Sequence, residues 1–321
     1  MWSGTAALVA GLLAAGLLTG CGDQAERRAI TPLPTLPSDP ATGTSPPVGP
    51  SRPVHDSPTA QPSPVPTQPP AQPPSPTPSE PPASATATAP PPWLGSRVLP
   101  TTGSGFGEVR STPKTLRNRQ FTLPDTVRAL PGTGFTARVT APAPQDVIAR
   151  STWHPDCPVD ADKLTWLRLA FWGFDGRRHT GELLVHEDVA NDMVSVFRQL
   201  YAAKFPIEEL SIVTQSVLDA PPTGDGNETT AFVCRPTAGG TTYSQHAYGL
   251  AIDVNSFQNP YVDGDLVLPE LASAYVDRAR IRPGMIEANG PVVRAFASIG
   301  WEWGGSWSTL KDYQHFSRDG R

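Results

Sequence analysis

The segment SQHAYGLAIDV, residues 244–254, sets His246 and Asp253 seven residues apart around Gly249. Both are metal-ligand types, and the same pair also fits a buried hydrogen-bonded couple or two members of a hydrolase triad. Seven is an odd spacing, so on one uninterrupted strand the two side chains point to opposite faces. They converge only if the chain bends, and Gly249 permits the bend. With His246 on a turn or bulge, Ala251 and Asp253 share one face of the following strand while Leu250, Ile252 and Val254 face the core. A second cluster, KDYQHF, holds Asp312 and His315 three residues apart, which on a helical turn places both on one side. Two histidines and one carboxylate around a single ion, with a fourth position open, is the ligand count of a catalytic zinc site. The carboxylate left beside a ligand histidine is then placed to serve as general base. Ser244 does not complete a Ser-His-Asp set, because no Gly-x-Ser-x-Gly elbow is present and two residues from His246 is too close. Glu302 is the competing base, ten residues before Asp312, and Asp312 is favoured by its nearness to a ligand.

These residues need a scaffold. Residues 95–160 are rich in Thr, Pro and Gly, with strand-like pieces FTARVTA and QDVIARSTW. Leu164 to Phe174 reads as a largely buried strand, and GELLVH as its hairpin partner across DGRRHT. The stretch EDVANDMVSVFRQLYAAKF spaces Val189, Met193, Val196, Phe197, Leu200 and Tyr201 on one helix face. ELSIVTQ reads as a further strand, and PVVRAFASIG as a short helix before the ending WEWGGSWSTLKDYQHF. Helices and strands mix without a regular βαβ rhythm, and no glycine-rich phosphate loop is present. The expected class is α+β with a mainly antiparallel sheet, forming one domain over residues 95–321. Trp301, Trp303 and Trp307 read as core and cleft wall; His154, His179 and His186 lack partners at ligand spacing.

Composition separates this domain from what precedes it. Residues 31–93 hold 23 of the 39 prolines and only Asp39, Arg52, Asp56 and Glu80 as charged side chains. Such a tract has little apolar surface to offset the entropy of ordering it, so residues 22–94, His55 included, are expected to form a disordered linker. Fully extended, it would reach about 200 Å. The net charge is −5 and no Lys/Arg run stands out, which argues against a nucleic-acid partner. The run ALVAGLLAAGLL is short for a membrane span and suits a signal-peptide core. It leads into LLTGC, and residues 1–21 thus resemble a bacterial lipoprotein signal, in which Cys21 becomes lipid-modified; no Lys or Arg precedes the run. The expected location is the outer face of the bacterial cytoplasmic membrane, facing the cell wall. In that oxidising setting Cys157 and Cys234 are expected to form a disulfide.

Ser244-x-His246-x-x-Gly249-x-Ala251-x-Asp253, followed by Asp312-x-x-His315-Phe316, resembles the VanY-type D-alanyl-D-alanine carboxypeptidase family of zinc peptidases. The similarity runs from about Trp153 to Phe316. It implies one zinc ion per chain, held by His246, Asp253 and His315, with Asp312 as general base and a small antiparallel α+β fold. It also implies that Arg235 holds the substrate carboxylate or stabilises the oxyanion. Ser244, Tyr248 and Trp303 are then expected to meet the substrate, a peptidoglycan stem peptide, with the enzyme acting as a monomer. An L-alanyl-D-glutamate endopeptidase and a non-catalytic wall-binding lipoprotein are the alternatives.

Overall fold

The computed structural model describes residues 89–237 and 242–320. The apolar run, Cys21, His55 and the Pro-rich tract up to residue 88 lie outside the described residues. The elements in chain order are β1 (Ala137–Thr140), α1 (Gln145–Ala149), β2 (Leu164–Trp172), β3 (Arg178–His186), α2 (Ala190–Ala202) and α3 (Gln215–Leu218). There follow β4 (Ala251–Asp253), β5 (Tyr261–Asp263), β6 (Leu266–Leu268), α4 (Pro291–Ala297), β7 (Glu302–Trp303), β8 (Lys311–Asp312) and β9 (His315–Ser317). The named strands form three antiparallel sheets, ordered β1-β2-β3, β4-β9-β7 and β6-β5-β8. The class is α+β.

The β2–β3 hairpin is the frame. Its register runs from Leu164 opposite His186 to Trp172 opposite Arg178, and Gly173 closes the turn by donating to Arg177 O. Side-chain alternation covers it on both faces. Leu167, Leu169, Phe171, Leu183 and Val185 enter the main core, whereas Leu164 and Leu184 join a second cluster with Val147, Ile148, Ile212 and Phe232. On the main side lies α2, whose Met193, Val196, Phe197 and Leu200 are buried at helical spacing. Each such side chain, fully buried, contributes about 1.5–3 kcal/mol. Tyr201 sits at the margin of this stripe, half-buried and stacked on Trp172.

Three expected elements differ. QDVIARSTW is not strand-like: its first five residues form α1, started by Pro144, with Val147 and Ile148 buried. ELSIVTQ is extended but joins no ladder. Its backbone is bonded by single contacts on two sides, from Glu182 N to Leu210 O and between Glu209, Ser211 and Thr229, so no continuous strand forms. KDYQHF is not a helical turn: Asp312 ends β8 and His315 opens β9, in different sheets. The folded part also begins before residue 95, because Trp93 and Leu94 pack against a cluster built on Phe121, Phe257 and Tyr275. Within β4 Ala251 is as fully buried as Ile252, and the strand's two edges are paired by β9 and by Thr230.

Candidate metal centre

His246 lies in a single 3-10 turn, Gln245–Tyr248. Ser244 starts the turn, its hydroxyl accepting from His246 N at 3.3 Å, and Gly249 ends it at φ 68°. That left-handed residue is the bend demanded by the odd spacing. A Cβ at Gly249 would stand 2.6 Å from His186 N, so the turn also rests directly on β3. The chain then enters β4, where Asp253 stands directly opposite His315 of β9. Phe316 anchors β9 by stacking on Phe296 of α4, ring centroids 4.0 Å apart.

The three candidate ligands close into a triangle. His246 Nε2 lies 3.2 Å from His315 Nδ1 and 3.2 Å from Asp253 Oδ1, and His315 Nδ1 lies 3.1 Å from the same carboxylate oxygen. Zinc bonds of about 2.0–2.2 Å to nitrogen and oxygen in tetrahedral geometry require ligand separations of about 3.3 Å. The triangle therefore has the edge length of one face of a zinc coordination tetrahedron. His246 Nδ1–H donates to Ala231 O at 2.6 Å, which turns the Nε2 lone pair toward the other two atoms. Burial alone would push the Asp253 carboxyl up, but His246 and His315 reverse this and hold it well below the usual carboxylate range. An ionised carboxylate between two imidazole nitrogens is a donor set suited to a divalent cation.

Asp312 approaches from the neighbouring sheet, paired with Tyr261 of β5. Its Oδ1 is buried without a hydrogen-bond partner among the described residues. Burial, then the charge of Asp253, push its pKa up to about 7, against His315, Gln314 and Arg235. A carboxylate with one oxygen unpartnered and its pKa raised toward neutrality, beside the triangle, suits proton exchange better than a place as a fourth ligand. Gly304 lets the WEWGG turn lie against it, since a Cβ there would meet Asp312 O at 2.7 Å. Glu302, the competing base, is solvent-exposed in β7 opposite Ser317.

The other expected site residues divide. Arg235 is half-buried, donates to Pro236 O at 3.1 Å, and its charge reaches Asp312. The Ser244 hydroxyl caps the turn as an acceptor, and Tyr248 packs against the main core. Trp303 is buried and its indole N–H donates to Tyr313 O at 2.8 Å. The tryptophan beside the triangle is Trp307, half-buried with its ring 5.7 Å from that of His315. Cys157 and Cys234 form a disulfide, Cα–Cα 5.9 Å. It immediately precedes Arg235 in the segment that supplies Ala231 O. His154 Nε2 lies 3.5 Å from Cys234 Sγ, but sulfurs bonded to each other are not metal ligands. His179 lies between Asp125 and Asp175, and His186 Nδ1 accepts from Asp188 N. Residues that sequence reading missed are Ala231, acting through a backbone carbonyl that no side chain announces, and Gln314, which acts against the rise in the Asp312 pKa.

Residues 238–318 match the family model described as D-alanyl-D-alanine carboxypeptidase. This match supports the VanY-type family. It spans the triangle and Asp312, supports a peptidase, and stops short of Arg235 and the disulfide. No curated protein and no solved structure matches the chain.

Proposed function

We propose that this chain is a zinc peptidase of the cell wall that removes the terminal residue from peptidoglycan stem peptides, as a D-alanyl-D-alanine carboxypeptidase. The observation that carries the proposal is the triangle of His246, Asp253 and His315, with edges of 3.1 to 3.2 Å. These three residues would hold zinc, one ion per chain. Bound there, the ion would supply Lewis acidity at the scissile carbonyl and make an attacking water more acidic.

The remaining roles belong to the chain. Asp312 takes a proton from the attacking water as the new C–O bond forms, then gives it to the amine that leaves as the C–N bond breaks. Its burial keeps the carboxylate poorly solvated and therefore basic enough for that exchange. Arg235 binds the substrate's terminal carboxylate as a two-pronged donor, which sets the cut close to a peptide C terminus. Trp307 forms an apolar wall beside His315. Lipidated Cys21 and the Pro-rich tract would hold this monomeric domain outward from the membrane, where the stem peptides are; labelling with a radioactive fatty acid, lost in Cys21→Ala, tests the anchor.

Zinc-loaded protein incubated with defined muropeptides should release free D-alanine, read by mass spectrometry. Release of an L-alanyl-terminated fragment instead would identify the endopeptidase, and no new product would refute a wall peptidase. Asp312→Ala should retain zinc and lose turnover by about 10²–10⁴-fold; loss of zinc would instead make Asp312 a ligand.

A further inference from the structure

A second pocket shares no residue with the triangle. It is an open cavity of about 300 Å³ whose lining includes Arg117, Arg280 and Arg282 with Ser111, Thr112 and Ser273, and no Asp or Glu. The chain as a whole is acidic, with 30 carboxylates against 25 Lys and Arg, so three arginines round one cavity do not reflect general basicity. None of the three forms an ion pair among the described residues.

The walls are fixed in place. Thr112 Oγ1 donates to Leu271 O at 2.6 Å and accepts from Ala274 N at 2.8 Å, while Ser273 Oγ accepts from Thr112 N at 3.0 Å. These hydroxyls are spent on joining the two segments, which leaves the arginines as the unfilled donors. Among the described residues Arg117 uses only Nε, toward Thr112 O at 3.3 Å. Arg282 lies over the Tyr275 ring at 4.5 Å, and its Nε is buried without a hydrogen-bond partner among the described residues. Among the described residues its Nη1 meets only Met285 Sδ, at 3.9 Å, a weak acceptor. Arg278, next along this segment, is held down to about 10 by burial first and also by the charge of Arg282, against Tyr313 and Glu287.

Like charges gathered round one cavity repel, and a bound anion relieves the repulsion. A carboxylate carries one charge and would leave two guanidinium groups uncompensated. A phosphate or pyrophosphate group carries two or more, and its tetrahedral oxygens accept several arginine forks at once. We infer that the pocket of Arg117, Arg280 and Arg282 is a binding site for a phosphate-class oxyanion, separate from the metal centre. Arg278 of the same DRARIRP segment stacks on Tyr313 at 4.5 Å, so the pocket's rim is joined to the residue next to Asp312.

The test is direct binding to the full chain by calorimetry, with inorganic pyrophosphate as probe and acetate as control. Arg117 and Arg280 are exposed, so the double variant R117A/R280A should fold normally, and the single variant R280A carries the same test should it not. Wild type should bind pyrophosphate more tightly than acetate, and the double variant at least about tenfold more weakly. Vesicles of phosphatidylglycerol form a second arm: vesicle binding lost in the same variant, without pyrophosphate binding, would assign the phosphate to a lipid headgroup. Equal affinity of wild type and variant in both arms, or acetate binding as tightly as pyrophosphate, would overturn the inference.

Discussion

Gly249→Ala isolates the bend on which the metal triangle depends. Gly249 sits at φ +68°, where an L-residue costs about 1–2 kcal/mol. The new Cβ would also stand 2.6 Å from His186 N, 3.0 Å from Val185 C and 3.3 Å from Leu164 Cδ2. Two of these are backbone atoms of β3, held by the pairing of His186 with Leu164, so the strand cannot retreat cheaply. The turn must therefore lift away, which breaks the bond from His186 N to Gly249 O and carries His246 with it. Strain and clash together should cost about 3–5 kcal/mol, in the exceptional range for a single substitution. Gly264→Ala is the control: its φ is +56° but a Cβ there meets nothing within 4 Å, so only the conformational cost of about 1–2 kcal/mol applies. Denaturant unfolding of both variants yields the difference, and zinc titration should show at least about tenfold weaker binding for Gly249→Ala alone. Equal destabilisation, to within about 0.5 kcal/mol, would refute the close approach of this turn to β3.

Three further outcomes are expected. Arg119 is buried against Glu208, with Nη2 to Oε1 at 2.6 Å; Glu208→Ala should cost about 3–5 kcal/mol by chemical denaturation because it strands the buried guanidinium. The Cys157–Cys234 bridge spans 77 residues, so unfolding with and without reductant should differ by about 4.5 kcal/mol at 25 °C on chain entropy alone. Glu209 is pushed up from 4.5 by burial, against Ser211, with Glu228 and Glu208 adding to the rise. Between that value and its raised folded pKa the native state holds more protons than the unfolded chain, so this group costs stability as pH rises through the window. Glu209→Gln should therefore melt higher than wild type at neutral pH, with the gap closing below the unfolded carboxylate pKa.

Sequence periodicity reached the β2–β3 hairpin and α2 because each is a continuous run whose buried residues recur at a single period. It failed at ELSIVTQ because the same alternation suits any extended segment packed on one side, and ladder formation depends on partners that come from elsewhere. The candidate ligands were legible from residue type, and the bend at Gly249 from parity, because two convergent side chains at odd spacing require a break. The placement of Asp312 relative to His315 was not, since a separation of three fits a helical turn and equally a link between two strands. The structure uses the second option, and the consequence is chemical. On one helical turn Asp312 would share an element with its ligand neighbour and move with it. In β8, paired to Tyr261, it is held by a different sheet from the one in which β4 and β9 align Asp253 with His315. Ligand geometry and base position are thereby set by separate hydrogen-bonded frameworks. The first needs Phe316 on Phe296, the second needs Gly304 against Asp312, and a substitution can disturb either without the other.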